Sequence, residues 1–404
     1  MFQTEWKCHR KVIFSFDIKS SIKMIPGNYL FFIIIFIAAC SCKRENQSGR
    51  ILLTENQIIT QAERISITKS DGVSTVTIIN PWQGAENVNL TYHLVRRGTD
   101  IPVGIDSSSV IFVPLKKIIC MSTTHIAMIS ALGEENSVSG VSGTGFIFSE
   151  RLNKNVEKGL VEDVGYEANL NKELILKISP DLIMMYGIGS ESAGYVGKIK
   201  ELGIKVIFNA DYLETDPIGK AEWIKLFGEL YCKEEMADSI FVSERETYDS
   251  IRLFISKNIT DRPKVLLGLP FKDTWYISPG NSFISKLISD AGGDYLWQET
   301  KSSVSMPLGI ENVFMRALTA DFWLNIGIIK NKNEIKAVDL RLGELQCFKN
   351  GSLYNNNKRI SQEGGNDYWE SGSVYPHLIL EDIASILHPG LFNDHELLFY
   401  GKIN

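Results

Sequence analysis

The strongest constraint on the fold is a pattern of residues that occurs twice in the chain. Residues 173–184 and 311–324 each begin with a glutamate, continue as a short helical segment, turn at an aspartate and end in a buried strand. A helical segment that runs into glycine precedes each copy, at 126–133 and at 283–293. Chance similarity is the alternative explanation. A true duplication predicts two lobes built in the same way.

The chain between and around the two copies alternates buried strands with helical patterns. Ile118 to Met121 is a short apolar run, and Ser122, Thr123 and Thr124 follow it as a helix cap. The next apolar residues, Ile126, Ile129 and Leu132, share one helical face. This alternation predicts an α/β fold with mostly parallel sheets flanked by helices.

One segment between the copies is long enough to connect two lobes. Residues 233–257 contain no proline or glycine, and Met236, Ile240, Thr247, Ile251 and Phe254 are spaced as one helical face. At 1.5 Å per residue, such a helix is about 37 Å long. We expect it to bridge the lobes.

The residues before the first lobe follow a different period. From Arg64 to Val113 the apolar residues alternate with polar ones, and Asp71 with Gly72 forms a turn signal. This pattern predicts antiparallel strands with a hairpin, packed as a small β segment on the first lobe.

The N-terminus has the order of an export signal. Basic residues precede an uncharged apolar run of about eleven residues, which is shorter than a membrane-spanning helix requires. The run ends at Ala38, Ala39 and Cys40 and resembles a bacterial lipobox, so we expect cleavage before Cys40 and its acylation. A transmembrane anchor is the alternative, and translation from Met1 or Met24 is left open.

These features divide the chain into six predicted parts. They are a signal peptide (1–39), a lipidated tether (40–57), a β-rich segment (58–114), an N-terminal α/β lobe (115–216), bridging helices (217–260) and a C-terminal α/β lobe (261–404).

Composition and motifs argue against several classes of function. After position 39 the chain has 37 basic and 46 acidic residues, which gives no basic footprint for nucleic acid. No phosphate-binding G-x-x-x-x-G-K-[ST] loop, complete G-x-G-x-x-G loop or H-E-x-x-H motif occurs. Histidines and cysteines are scattered, so we expect no resident metal site and no cofactor.

The order of several short segments resembles the periplasmic binding proteins that serve ABC importers of ferric siderophores, haem and cobalamin. The resemblance covers about residues 116–400. The segments that carry it are Ile118–Ser122, Ala131–Gly133, Ile178–Leu182, Leu202–Val206, Trp275–Tyr276, Pro279–Gly280, Leu287–Gly293 and Leu387–Pro389. It implies two α/β lobes joined by one long helix, a ligand in the cleft between them, and ABC permease and ATPase subunits as partners.

The same resemblance assigns a role to the duplicated glutamates. In the family one surface glutamate on each lobe pairs with arginines of the membrane subunits, and Glu173 and Glu311 fall at those positions. The simpler interpretation is that each carboxylate only stabilises a helix N-terminus.

Polar and aromatic residues in loops are the candidates for ligand binding. Two neighbouring loops combine amides, charges and flat rings, which suits a bulky chelate. Others follow strand ends, where open α/β sheets bind ligands. The predicted ligand-binding residues are Thr123, Thr124, His125, Trp275, Tyr276, Tyr354, Asn356, Arg359, Asn366, Tyr368 and Trp369. A structural role for His125, a core position for Trp275 and ordinary loop packing are the alternatives.

We therefore predict a lipid-anchored binding protein on the periplasmic side of the membrane. It would capture a ferric siderophore, haem or a corrinoid and deliver it to an importer, and it would not be an enzyme. The alternatives are an α/β enzyme and a sensor lipoprotein without a transport role. Which chelate is bound, which membrane holds the anchor and what the β segment does are not determined by the sequence.

Overall fold

A computed structural model describes residues 57–404 except 167–168, 188–198, 200–202 and 362. All described residues belong to the compact unit Leu53–Asn404. The predicted signal peptide, Cys40 and nearly all of the tether lie outside the described residues. Within the described part of the chain, no helix is both long and apolar enough to cross a bilayer.

The chain first forms a four-stranded sheet, as its period of two predicted. Its strands, in the order β1-β2-β3-β4, are Ile65–Ser70, Val73–Ile79, Asn89–Arg96 and Val110–Val113. Asp71 and Gly72 both have positive φ angles, of 50° and 76°, which is the geometry of a tight hairpin turn. The expectation of antiparallel strands throughout was wrong, because β4 pairs with β3 in parallel.

The first lobe is a parallel sheet with helices. Its strand order is β7-β6-β5-β8-β9, and all four pairings are parallel. The strands β5 to β9 are Ile118–Cys120, Val138–Val141, Glu162–Asp163, Leu182–Met185 and Val206–Phe208. The helices α1 to α3 are Thr123–Ala131, Glu150–Glu157 and Lys172–Ile178. Helix α1 buries Ile126 and Ile129, and Leu132 at its C-cap is buried as well, which confirms the predicted face.

The second lobe repeats this construction with one antiparallel edge. Its strand order is β12-β10-β14-β15-β16, and only the pairing of β16 with β15 is antiparallel. A separate two-stranded antiparallel sheet pairs β11 with β13. The strands β10 to β16 are Lys264–Leu267, Thr274–Ile277, Asp294–Tyr295, Met306–Gly309, Phe322–Leu324, Leu353–Asn355 and Gly401–Lys402.

Eight helices are described after the first lobe. They are α4 Pro217–Ala221, α5 Ile224–Tyr231, α6 Glu234–Asn258, α7 Phe283–Asp290, α8 Ile310–Ala317, α9 Lys332–Val338, α10 Gln346–Asn350 and α11 Pro376–Leu387. The predicted α/β fold of two lobes, one long helix and a small N-terminal β segment is confirmed.

The two copies of the repeated pattern occupy equivalent places. Asp181 precedes β8, and its Oδ2 accepts hydrogen bonds from the backbone N–H groups of Lys116 (2.7 Å) and Lys117 (3.0 Å), just before β5. Asp321 precedes β14, and its Oδ2 accepts one from the N–H of Lys264 (2.8 Å), at the start of β10. Each aspartate therefore joins the starts of two central strands.

Helix α6 has the predicted length but a different buried face. Met236 and Phe254 are exposed, whereas the buried residues are Ala237, Phe241, Glu244, Tyr248 and Ile255. Two of these are polar at their tips: Glu244 accepts hydrogen bonds from His377 (2.9 and 2.6 Å), and Tyr248 donates one to Asp290 (2.9 Å). Polar partners from α11 and α7 thus allow Glu244 and Tyr248 to be buried on this face, and an apolar pattern does not reveal these two positions.

Candidate functional site: the face between the lobes

The site is built from loops that follow the carboxyl ends of parallel strands. In open α/β sheets, the last carbonyl groups and the following turns leave a crevice there, and ligands bind in it. Helix α1 begins directly after β5, and it packs against the turn Ser371–Ser373 of the second lobe. The two lobes therefore meet at this edge.

Glu370 makes the most specific contact between the lobes. Its two carboxylate oxygens accept hydrogen bonds from the backbone N–H groups of Phe148 and Ser149, each at 2.8 Å. Ser149 is the N-cap of α2, so a carboxylate of the second lobe binds a helix N-terminus of the first. Burial raises the pKa of Glu370 to about 7, against the effect of the two N–H groups.

The loops around Glu370 pack too closely for side chains. Ser361 donates a hydrogen bond to the carbonyl oxygen of Gly145 at 2.6 Å. A Cβ atom on Gly365 would overlap the carbonyl group of Phe146, and one on Gly145 would overlap Glu363. These glycines allow the two loops to touch. The contact joins the loop that follows β6 in the first lobe to the loop that follows β15 in the second.

The predicted loop residues of the second lobe come together at this contact. The Arg359 guanidinium lies 4.7 Å from the centre of the Phe148 ring and donates a hydrogen bond to Asp367 (2.8 Å). Asn366 donates to the carbonyl oxygen of Asn356 (2.9 Å), which is nearly buried. Their polar groups thus order the loop itself.

Trp369 and Tyr354 are the more accessible aromatic residues of this region. Trp369 is 48% exposed, and Tyr354 is half-buried on β15. Tyr276 is exposed but belongs to the separate two-stranded sheet of β11 and β13. Thr123 is partly exposed and Thr124 nearly buried at the start of α1, beside the contact. A ligand-binding role for these residues stays a prediction.

Three predicted ligand residues are buried in the protein core. Trp275 is fully buried, its Nε1 donates to the carbonyl oxygen of Leu267 (3.0 Å), and its ring lies 5.8 Å from that of Trp323. Tyr368 is 1% exposed and packs edge-on against Phe399 and two other rings. The expected positions of Trp275 at the cleft mouth and Tyr368 on the cleft wall were wrong, because aromatic stacking holds both rings inside the second lobe.

His125 is the third buried residue. It has no exposed surface, and neither ring nitrogen has a hydrogen-bond partner among the described residues. Burial lowers its pKa to about 4; Asp211 opposes this shift and Lys220 adds to it. A neutral core histidine is the interpretation that this environment supports, so contact with a chelate at the surface was a wrong expectation.

The described residues contain no candidate metal site, and the surface cavity described below lies away from the face between the lobes. No group of three or more histidine, cysteine, aspartate or glutamate side chains there could hold a metal ion. A surface cavity of about 510 Å³ lies between the last turns of α6 and the end of α7, lined by Arg252, Arg262 and Asp290 among others. It is formed within the second lobe and α6 and takes no residue from the loops between the lobes.

Glu173 and Glu311 lie in the first turns of two equivalent helices. Both side chains are exposed, on α3 and α8. The Glu311 carboxylate is 3.6 Å from the Arg341 guanidinium and remains 70% exposed. Each helix also exposes an apolar side chain one turn later, Leu176 (51%) and Met315 (67%). The two lobes therefore present similar acidic and apolar patches.

Two α/β lobes that are joined by a long helix and meet at their carboxyl edges define the class of solute-binding proteins. The family model for periplasmic binding protein matches residues 118–339. The chain therefore belongs to the periplasmic binding protein family, which confirms the resemblance inferred from the sequence.

Two relatives and one solved structure extend this result. The uncharacterized lipoprotein MJ0878 of Methanocaldococcus jannaschii is 30% identical over 74% of this chain and 71% of its own. A second uncharacterized lipoprotein of that organism, MJ0872, is 25% identical over 92% of this chain and 96% of its own. A periplasmic heme binding protein from Pseudomonas aeruginosa has the same fold, with a TM-score of 0.55 and 14% identity over 72% of this chain and 98% of its own.

Proposed function

We propose that this protein is the substrate-binding component of an ABC importer and that it carries an iron chelate, haem or a corrinoid in the cleft between its lobes. The observation that carries the proposal is the pair of facing carboxyl edges, held by one long helix that limits their movement. The heme binding protein with the same fold supports a chelate as the ligand class.

The residues at the contact suit such a ligand. Trp369 and Tyr354 offer aromatic surface, and Arg359 carries a charge that is 40% exposed. A few oriented polar groups on an aromatic wall bind a large, partly apolar chelate. Capture would be followed by a small closure, with Glu370 as a contact that forms when the lobes approach.

Glu173 and Glu311 would dock the loaded protein on the permease. Exposed ion pairs contribute only about 0.2–1 kcal/mol each, so single alanine variants should change little. Charge reversal places like charges against the partner and should act more strongly. We predict that Glu173→Arg with Glu311→Arg abolishes uptake of the chelate into cells and leaves its affinity in solution unchanged.

A matched control separates docking from net charge. Glu157→Arg with Glu246→Arg makes the same change in charge on exposed positions of α2 and α6. This control should transport normally. Uptake that persists in the Glu173 and Glu311 variant, or affinity that collapses with it, would contradict the docking role.

Cys40 would anchor the protein to the membrane. The two lipoprotein names among its relatives support this proposal. Cys42 provides a matched control two residues further on. We predict that the intact mass of the membrane-bound protein corresponds to a chain that begins at Cys40 and carries lipid. Cys40→Ala should release the protein or block its processing, whereas Cys42→Ala should not; equal behaviour of the two variants would refute the assignment.

A further inference from the structure

The loop between β2 and β3 reaches from the N-terminal sheet to the lobes. The loop, residues 80–88, is closed at its base by two hydrogen bonds, from Asn80 N–H to the Val88 carbonyl (2.7 Å) and from Val88 N–H to Asn80 Oδ1 (3.1 Å). Inside it, the Ala85 N–H donates to the Trp82 carbonyl (3.0 Å). The loop therefore has a defined conformation of its own.

Trp82 attaches this loop to the first lobe. Its backbone forms a parallel bridge with Gly187, two residues beyond the end of β8. Its ring lies 5.5 Å from that of Phe208, the last residue of β9. A Cβ atom on Gly187 would lie 2.9 Å from the Trp82 Cβ, so glycine permits this approach. Trp82 thus lies on the carboxyl edge of the sheet and keeps part of its surface exposed.

Gln83 connects the same loop to the second lobe. Its Nε2 donates a hydrogen bond to the carbonyl oxygen of Ser303 at 3.4 Å. Ser303 lies between β12 and β13, in a segment ordered by the hydrogen bond from Ser302 Oγ to the Val304 carbonyl (2.7 Å). Two adjacent residues of the loop therefore contact the two lobes.

This bridge lies on the opposite side of the lobes' facing edges from the Glu370 contact. In the first sheet, β6 and β8 flank the central strand β5 on opposite sides. The Glu370 contact involves the loop after β6, and Trp82 meets the loop after β8. The two contacts therefore lie at opposite ends of the face between the lobes.

Buried carboxylates fix the sheet that carries the loop. Glu222 is fully buried and accepts hydrogen bonds from the N–H groups of Thr60, Gln61 and Ala62 at 2.6–3.0 Å. Glu214 accepts two more from residues 63 and 64 (3.0 and 2.9 Å). Both carboxylates therefore attach residues 60–64, at the start of the N-terminal sheet, to the segment around helix α4.

We propose that residues 80–88 form one end wall of the ligand cleft and that Trp82 is a specificity-determining residue that contacts the ligand. This inference rests on the proposed function and extends it to a site outside the two lobes. A partly exposed indole beside Phe208 offers a flat apolar surface, which favours a chelate with a flat conjugated ring over an aliphatic one. The N-terminal sheet thereby becomes part of the binding site.

Cross-linking tests the position of the wall without any ligand. The full chain, with Cys8, Cys40, Cys42 and Cys232 replaced by serine, would carry Gln83→Cys and Ser303→Cys and react with a short bismaleimide. Thr91→Cys with Ser303→Cys is the control, because Thr91 is exposed on β3. We expect a cross-link between 83 and 303 and none between 91 and 303. Absence of the 83–303 product would overturn the proposal.

Binding measurements test the role of Trp82. Haemin, cyanocobalamin and ferrioxamine B are the probes. Trp82→Ala should lower the affinity for the two macrocycles, haemin and cyanocobalamin, about tenfold and lower the affinity for ferrioxamine B by a smaller factor. Trp82→Phe should bind all three probes with affinities close to those of the wild type. Glu86→Ala, at an exposed position of the same loop, is the control.

The two experiments distinguish a failure of the proposed role of residues 80–88 from a failure of the proposed function as a chelate-binding protein. Unchanged affinity of Trp82→Ala for the macrocycles, in a protein whose circular dichroism matches the wild type, would overturn the specificity role. If the wild type binds none of the probes, the proposed function fails for these ligands. The cross-link then decides alone whether the loop closes the cleft.

Discussion

At the scale of single residues, buried carboxylates that accept backbone hydrogen bonds recur in this protein. Glu222 holds the start of the N-terminal segment, and Glu370 holds the first lobe against the second. Asp382, which is fully buried, accepts hydrogen bonds from the N–H groups of residues 398–400 at 2.7–3.1 Å and so fixes the C-terminal strand. A buried carboxylate is stable only with such partners, so each one fixes the position of a distant segment.

The titration of Glu370 should make stability depend on pH. Its pKa is raised from 4.5 to about 7 by burial, so the folded protein binds a proton more tightly than the unfolded chain. This stabilisation is complete below about pH 4.5 and is lost as the pH rises through about 7. It is worth at most about 3 kcal/mol. We predict that the free energy of unfolding falls between pH 5 and pH 8 more steeply in the wild type than in Glu370→Gln.

Glutamine cannot titrate, which makes this variant the appropriate comparison. Urea denaturation at a series of pH values provides the measurement. Parallel curves for the two proteins would show that Glu370 does not titrate in this range.

Residue types predicted the region of the contact but not which side chains line it. The loop from Tyr354 to Trp369 was singled out for its amides and rings, and it does meet the first lobe. Composition could not separate Trp369, which is exposed, from Tyr368, which is in the core. Glu370 was missed because one glutamate beside an aromatic pair carries no signal until its partners in a distant loop are known.

At the scale of elements, local patterns predicted the helices and most strands, and long-range pairing decided the rest. The cap predicted at 122–124 and the apolar spacing after it suffice to predict α1, whose N-cap is Ser122. The parallel pairing of β4 with β3 depends instead on the path of residues 97–109, which has no periodic pattern. The buried face of α6 depends on polar partners in α7 and α11, and these are invisible in the sequence of α6 itself.

The attachment of the N-terminal sheet to the rest of the protein should depend on the carboxylate of Glu222. Glu222→Gln removes the charge that accepts hydrogen bonds from Thr60, Gln61 and Ala62. It also removes one ion pair of Lys225 (3.1 Å), which keeps Asp238 (3.4 Å) and the Ile58 carbonyl (3.0 Å) as partners. We predict a loss of about 2–4 kcal/mol in the free energy of unfolding. Glu235→Gln, at an exposed position of α6, should change it by less than about 0.5 kcal/mol.

Protease digestion would show which element is affected. Because the lost hydrogen bonds hold residues 60–62, cleavage in the N-terminal sheet should accelerate before cleavage in the lobes. If Glu222→Gln has the same free energy of unfolding and the same rate of protease cleavage as Glu235→Gln, the anchoring role of Glu222 is ruled out.

At the scale of the whole molecule, the repeated pattern was the most informative feature of the sequence. It predicted two lobes, and the two copies indeed end in equivalent strands, β8 and β14, next to the first strand of each lobe. The equivalent roles of Asp181 and Asp321 explain why aspartate ends the turn in each copy. The proposed role of the N-terminal sheet could not be predicted in this way, because the proposal is based on contacts of Trp82 and Gln83 with the two lobes.

Native mass spectrometry of the protein tests most directly whether the cleft between the lobes holds a chelate. Protein isolated from cells grown with iron and a corrinoid source should carry one metal chelate per chain. Trp369→Ala should lose this added mass, whereas Phe254→Ala, at an exposed aromatic position on α6, should retain it. A wild-type protein that shows only the mass of its own chain, both as isolated and after incubation with haemin, ferrioxamine B and cyanocobalamin, would contradict the account.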